Sequence, residues 1–255
     1  MIALCDAGDV TRYGGKASGL AAALRAGLPV PDGFAIAWDE HASLTTEALA
    51  ALVAPLGRVA VRSSAVDEDG AGASFAGQHK TIVNPRDVLA AVREVEASCH
   101  EPSALAYRAK LGLVSEPRMA VVVQQLVDAT SAGVMFTRHP LTGADERVVE
   151  AAWGLGEAVV AGLVTPDTYR WARGASTYGV MVGFKDLAIR PAAEGVAEVC
   201  VPEAQQRAQI LAEEQLERLD ALSLRCERYA GPGIDLEWAF VGAELYLLQC
   251  RKVTR

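Results

Sequence analysis

The sequence predicts a folded protein that mixes α-helices with β-hairpins, and three observations carry that expectation. Residues 59–83 read as strand, loop and strand. Residues 234–251 alternate apolar and polar side chains on either side of a turn near Gly242. Residues 85–112 and 202–229 repeat apolar positions at helical spacing. At 255 residues, 51% of them hydrophobic, the chain has the apolar surface for one large core or for two lobes of ordinary size.

From the N-terminus, Gly14-Gly15-Lys16 turns into a helix over residues 17–26, built from alanines with Leu20 and Leu24 and stopped by Gly27. Pro29-Val30-Pro31 then leads stiffly into a strand at 34–38. Lys16 therefore falls in the first turn of a helix. The phosphate-binding P-loop pattern is excluded there, because Val10 stands where its first glycine belongs and Ala17 where its magnesium-binding hydroxyl belongs. Lys16 either meets a phosphate as a point charge or is an ordinary solvated lysine.

Residues 59–61 form a short apolar strand that delivers Arg62 into a segment of small residues, Ser63, Ser64, Ala65, Ser74 and Ala76, with glycines at 70, 72 and 77. The strand resumes at 81–83. Glycine and serine let backbone N–H groups approach an anion closely, and Arg62 supplies a fixed bidentate cation, so a polyphosphate is the natural ligand. A solvated hairpin loop whose arginine pairs with Asp67, Glu68 or Asp69 fits the stretch equally well.

Residues 85–112 read as scaffold, one helix with Val88, Leu89, Val92 and Val95 on a single face and a second around 105–111. The apolar run 119–127 suits a buried central strand. Gln124 and Gln125 interrupt it, and their neutral amides suit the edge of a purine or, equally, loop backbone. A further strand at 131–137 closes at Arg138-His139-Pro140. The strand 147–152 runs into Gly154-Leu155-Gly156-Glu157 and a helix through Gly162, by itself a weak anion-site signal. Short strands are expected at 169–173 and 180–189, then one long helix over 202–229 with Ile210, Leu211, Leu219 and Leu222 inward.

In the C-terminal hairpin the turn decides which faces coincide. A two-residue turn at Gly242-Ala243 puts the polar sets on opposite faces, whereas a three-residue loop through Glu244 pairs Glu237 with Gln249 and Asp235 with Arg251. The second choice is preferred, with Leu245, Leu247, Gln249 and Arg251 on one face. It gathers hard oxygen donors suited to magnesium and leaves Arg251 for a phosphate. A structural ladder of ion pairs is the competing reading.

The net charge of −8 argues against nucleic acid as partner. Five dispersed cysteines suggest neither a disulfide framework nor a zinc site and fit a reducing cytoplasm. No apolar stretch reaches the roughly 20 residues of a membrane span.

Taken together, Gly14-Gly15-Lys16-Ala-Ser-Gly-Leu, Leu28-Pro-Val-Pro-Asp-Gly-Phe34, Val61-Arg-Ser-Ser64, Ser74-Phe-Ala-Gly-Gln78, Gly133-Val-Met-Phe-Thr137, Asp235-Leu-Glu-Trp-Ala239 and Leu248-Gln-Cys-Arg251 resemble the ATP-binding domain of the PEP-utilising dikinases. Phosphoenolpyruvate synthase, pyruvate phosphate dikinase and rifampin phosphotransferase belong to that family. The resemblance implies an α+β ATP-grasp fold, with lobes at 1–125 and 126–255 closing on ATP and Mg2+. It makes Lys16, Arg62 and Arg251 the catalytic phosphate cations, and Gly77, Gln78 and Thr81 contacts of a phosphate-covering loop. Gln124, Gln125 and Leu126 become the adenine edge, and Glu237 and Gln249 the metal ligands.

Full-length relatives pass the phosphoryl group from ATP to a histidine on a swivelling domain and then to a small acceptor, leaving AMP and phosphate. This chain stops just after Arg251, with Lys252 where the family usually has proline, and none of its four histidines stands in the phosphohistidine context. The segment between Phe34 and Arg62 is also shorter than in the full-length enzymes. A separate histidine-bearing domain or subunit is therefore expected as partner. A stand-alone kinase yielding ADP, and a non-catalytic ATP-binding module, are the alternatives.

Overall fold

The computed structural model describes residues 1–66, 80–175 and 177–253. It is an α+β structure, as expected. The first half supplies a five-stranded antiparallel sheet from β1 (Ile2–Ala3), β2 (Gly33–Ile36), β3 (Val59–Ala65), β4 (Thr81–Val83) and β5 (Met119–Gln125), in the order β1-β2-β5-β3-β4. The apolar run of β5 lies at its centre because both faces are covered. Val121 and Val123 pack with Val92 and Val95 of α3 (Val88–Ala97), while Val122 joins the cluster containing Ala17 and Leu20 of α1 (Val10–Arg25). Helices α2 (Thr46–Val53) and α4 (Pro102–Lys110) complete this half. The strand β3 runs on through Ser63, Ser64 and Ala65, where the run of small residues predicts loop.

The second half supplies a six-stranded sheet from β6 (Ser131–Phe136), β7 (Glu146–Trp153), β8 (Asp167–Ala172), β9 (Gly179–Met181), β12 (Ile234–Val241) and β13 (Glu244–Lys252), in the order β13-β12-β6-β7-β8-β9. Helix α7 (Glu213–Ala230) covers one face, packing Leu216, Leu219 and Leu222 with Leu236, Trp238 and Phe240. The short α5 (Glu157–Val160) lies on the other, where Ala158 and Leu155 meet Ala132 and Ala239. The largest apolar cluster draws on both halves, from Leu20 of α1 to Trp238 and Leu247 of the last hairpin.

Two expectations fail here. Residues 180–189 are not one strand: β9 ends at Met181, and β10 (Leu187–Pro191) pairs instead with β11 (Val196–Cys200). Nor is 202–229 one helix, since α6 (Glu203–Gln206) and α7 are separated. The backbone N–H groups of Ile210 and Leu211 donate to Asp167 Oδ2 and to the Tyr169 hydroxyl, both at 2.9 Å, and so are lost to any helix. Asp167 also holds the fully buried Lys185. No helix among the described residues is long and apolar enough to cross a membrane.

Candidate functional site

The helix α1 begins earlier than its alanine pattern suggests, capped by Asp9, whose carboxylate accepts the Thr11 N–H at 2.9 Å, and it breaks at Gly14 (φ 77°, ψ 171°). The break is where the chain meets β3. Ser64 Oγ donates to the Tyr13 carbonyl at 2.7 Å and accepts the Ala17 N–H at 3.0 Å, so a strand residue caps the restarted helix. A Cβ at Gly14 would lie 2.1 Å from the Ser64 carbonyl oxygen, which only glycine avoids. Lys16 thus stands, half-buried, in the first turn after the break, as expected, on a helix pinned two residues from Arg62.

The last hairpin reaches its expected pairing by an unexpected route. Val241 pairs with Glu244, so the turn is the two-residue Gly242-Ala243 one, and Trp238 pairs with Leu247. Leu248 is then inserted as a bulge, after which Glu237 faces Gln249 and Asp235 faces Arg251. The bulge also divides the face assumed from alternation: Leu247 joins Trp238 in the core, while Gln249 turns to Glu237.

Arg62 gathers these residues. Its Nη2 donates to Glu237 Oε2 at 2.7 Å and to Gln249 Oε1 at 3.2 Å, and its Nη1 to the Leu248 carbonyl at 2.6 Å and Gln124 Oε1 at 3.2 Å. One guanidinium therefore ties the first sheet to the last hairpin. Gln124 is 2% exposed and its Nε2 donates to the Pro31 carbonyl at 3.3 Å, so its amide orients Arg62. Gln125 points to the opposite side of β5 and is exposed; its N–H and that of Leu126 donate to the carbonyls of Asp32 and Arg58. Thr81 sits opposite Arg62 across β3 and β4. Arg251 grips Asp235 with Nε at 2.9 Å from both carboxylate oxygens. Burial pushes the Asp235 carboxyl up to about 6, with the Arg251 charge acting the other way. Gly77 and Gln78 lie outside the described residues.

Glu237 Oε2 and Gln249 Oε1 both come within hydrogen-bonding distance of one arginine nitrogen, so two hard oxygens converge on one point. Among the described residues no three His, Cys, Asp or Glu side chains gather into a metal cluster. One carboxylate and one amide fit Mg2+, which keeps several waters and takes its remaining ligands from substrate phosphates.

Sequence reading missed three parts of this face. Ser64 looked like a loop serine, and nothing in the pattern marks the Leu248 carbonyl. Glu150 also belongs here: Glu237 pairs with Val134 and Val134 with Glu150, so this half-buried carboxylate shares the row of Glu237. Strict alternation along β7 was the signal that could have found it.

A family model described as pyruvate phosphate dikinase, AMP/ATP-binding domain, matches residues 43–255. A probable phosphoenolpyruvate synthase of Archaeoglobus fulgidus is 32% identical, over 98% of this chain and 40% of its own. The uncharacterized phosphotransferase YvkC of Bacillus subtilis is 34% identical, over 94% of this chain and 33% of its own. The chain thus spans well under half the length of these relatives. Among solved structures, the ATP complex of Bacillus anthracis D-alanine–D-alanine ligase is similar at a TM-score of 0.42 and 11% identity, over 93% of this chain and 55% of its own.

Proposed function

Since the chain belongs to the family of the pyruvate phosphate dikinase AMP/ATP-binding domain, we propose that it binds ATP with Mg2+ and donates a phosphoryl group to a histidine on a partner domain or subunit. That histidine then passes the phosphoryl group to a small acceptor, and water cleaves the other phosphoanhydride bond of the nucleotide, so that AMP and phosphate are released. Lobes at 1–125 and 126–255 hold the nucleotide in an ATP-grasp arrangement. The observation that carries the reading is the convergence of Arg62, Gln124, Glu237 and Gln249 on one point where the two sheets meet.

Each residue has a task in positioning and charge neutralisation, which is most of what phosphoryl transfer asks of a protein. Lys16 from α1 and Arg62 from β3 hold phosphate oxygens, with Thr81 of β4 beside Arg62 and Gly77 and Gln78 as contacts of the covering loop. Glu237 and Gln249 hold the metal, which when bound supplies charge neutralisation at the phosphates. Arg251, kept on the same face by Asp235, contacts the phosphates from the second sheet, and of the 124–126 strand end it is Gln124, on the side of Arg62, that meets the adenine. A reducing cytoplasm is the compartment proposed for it, on the dispersal of its five cysteines along the sequence.

The test is nucleotide product analysis of the purified chain with ATP and magnesium, alone and with extract fractions. AMP that forms once a partner fraction is added supports the proposal. ADP formed with a small-molecule fraction replaces it with a direct kinase, and tight ATP binding without turnover replaces it with a binding module.

A further inference from the structure

Past Asp235 and Arg251, the same sheet face runs out into a pocket of about 360 Å3 lined by Arg138, His139, Pro140, Pro232, Gly233 and Val253. The register places it. Gly233 lies two residues before Asp235; Val253 lies two beyond Arg251 and donates its N–H to the Gly233 carbonyl at 2.9 Å. Arg138 lies two beyond Phe136, the partner of Asp235, and a Cβ on Gly233 would fall 3.7 Å from Arg138 Cδ. Side chains recur on one face at every second residue, so the pocket continues the face of Glu237 and Gln249. At about 3.3 Å per residue it begins roughly 7 Å beyond the Asp235–Arg251 pair and roughly 13 Å from the Glu237–Gln249 pair.

Arg138 and His139 bring its side-chain donors. Among the described residues Arg138 forms no ion pair, and its Nη1 makes a long 3.4 Å bond to the Gly143 carbonyl. The carboxylates of its own loop are committed elsewhere, Asp145 to Arg173 at 2.9 Å and Glu146 to Arg170 at 2.7 Å. His139 Nδ1 accepts the N–H groups of Leu141 and Thr142 at 3.2 Å each, which leaves the ring proton on Nε2, 4.0 Å from the Glu146 carboxylate and beyond hydrogen-bonding distance. Gly233, at φ 78°, adds no side chain to the floor, and Pro140, Pro232 and Val253 give an apolar frame. A guanidinium fork with a second N–H donor in such a frame is a recognition set for an oxyanion.

We propose that this pocket is a second oxyanion site, separate from the nucleotide cluster, that takes a small phosphate or carboxylate group. The site lies on the acceptor side of Arg251 if the nucleotide binds as proposed above, and in that sense it rests on that reading. Calorimetric titration with orthophosphate and with acetate, with and without ATP and magnesium, tests it and separates the two anions. Saturable binding by at least one is expected, about tenfold weaker in Arg138→Gln, within about threefold of wild type in Arg138→Lys, and unchanged by ATP. ATP affinity and melting temperature should be those of wild type in both variants. Equal anion affinity in Arg138→Gln overturns the proposal, as does displacement of the anion by ATP or an absence of saturable binding up to about 20 mM. A chain that fails to bind ATP refutes the nucleotide reading alone, because the dependence on Arg138 still decides this one.

Discussion

Replacing Arg62 with methionine and Glu237 with glutamine, singly and together, measures how firmly the site joins the two sheets. The pair is 2.7 Å long, with side-chain exposures of 10% and 33%. Fully exposed pairs contribute about 0–1 kcal/mol, and breaking a fully buried one costs about 3–5 kcal/mol. With one carboxylate a third open to water, a coupling of about 1–2 kcal/mol is expected. Arg62→Met also strips a donor from the Leu248 carbonyl and from the amides of Gln124 and Gln249, which are 2% and 7% exposed. The two buried amides add roughly 1 kcal/mol each to that coupling, so Arg62→Met should cost about 3–4 kcal/mol in all and Glu237→Gln about 1–2 kcal/mol. The double variant should then be little worse than Arg62→Met alone. Urea unfolding at pH 7 and low salt, followed by fluorescence and by circular dichroism, gives the four free energies. Losses that add to within about 0.5 kcal/mol would refute the bridge, as would an Arg62→Met loss below about 1 kcal/mol.

Three further outcomes are expected. Ser64→Ala leaves the Ala17 N–H and the Tyr13 carbonyl without their partner and should cost about 1–2 kcal/mol in urea unfolding; an unchanged midpoint would remove Ser64 as the cap of α1. Burial alone would raise the Glu227 carboxyl, but hydrogen bonds from Arg173 and Thr137 and the Arg147 charge bring it down to about 2. Its folded value lies below its unfolded one, so its contribution is complete above about pH 4.5 and is lost as pH falls towards 2; Glu227→Gln should flatten that part of the stability profile. Glu237→Ala should lower phosphoryl transfer about a hundredfold or more, and wild-type turnover in a folded Glu237→Ala protein would sink its assignment.

Much of the fold was legible because its signals are local. The apolar run of β5 reads as a doubly covered strand, the spacing of Val92 and Val95 reads as a helix face, and Thr81–Val83 was found to the residue. The failures fall where a distant group takes over a backbone bond. Residues 207–212 carry helical apolar spacing, yet Asp167 and Tyr169 capture the N–H groups of Ile210 and Leu211. The pairing of Glu237 with Gln249 was anticipated for the wrong reason: the turn is shorter than supposed, and the Leu248 bulge restores the register.

By itself the sequence determined which residue types could meet a polyphosphate and a hard cation, and in what order along the chain they come. It also determined the family, since the order and spacing of those motifs are properties of the chain alone. Only the tertiary structure decided that Arg62 binds Glu237, Gln249, Gln124 and the Leu248 carbonyl at once, because these lie on three strands from two sheets with up to 187 residues between partners. It likewise decided that Gln124 and not Gln125 faces the site, and that Arg138 stands above the bare floor of Gly233. Periodicity fixes which side of its own strand a residue takes; which side becomes a site depends on what the rest of the chain lays against it.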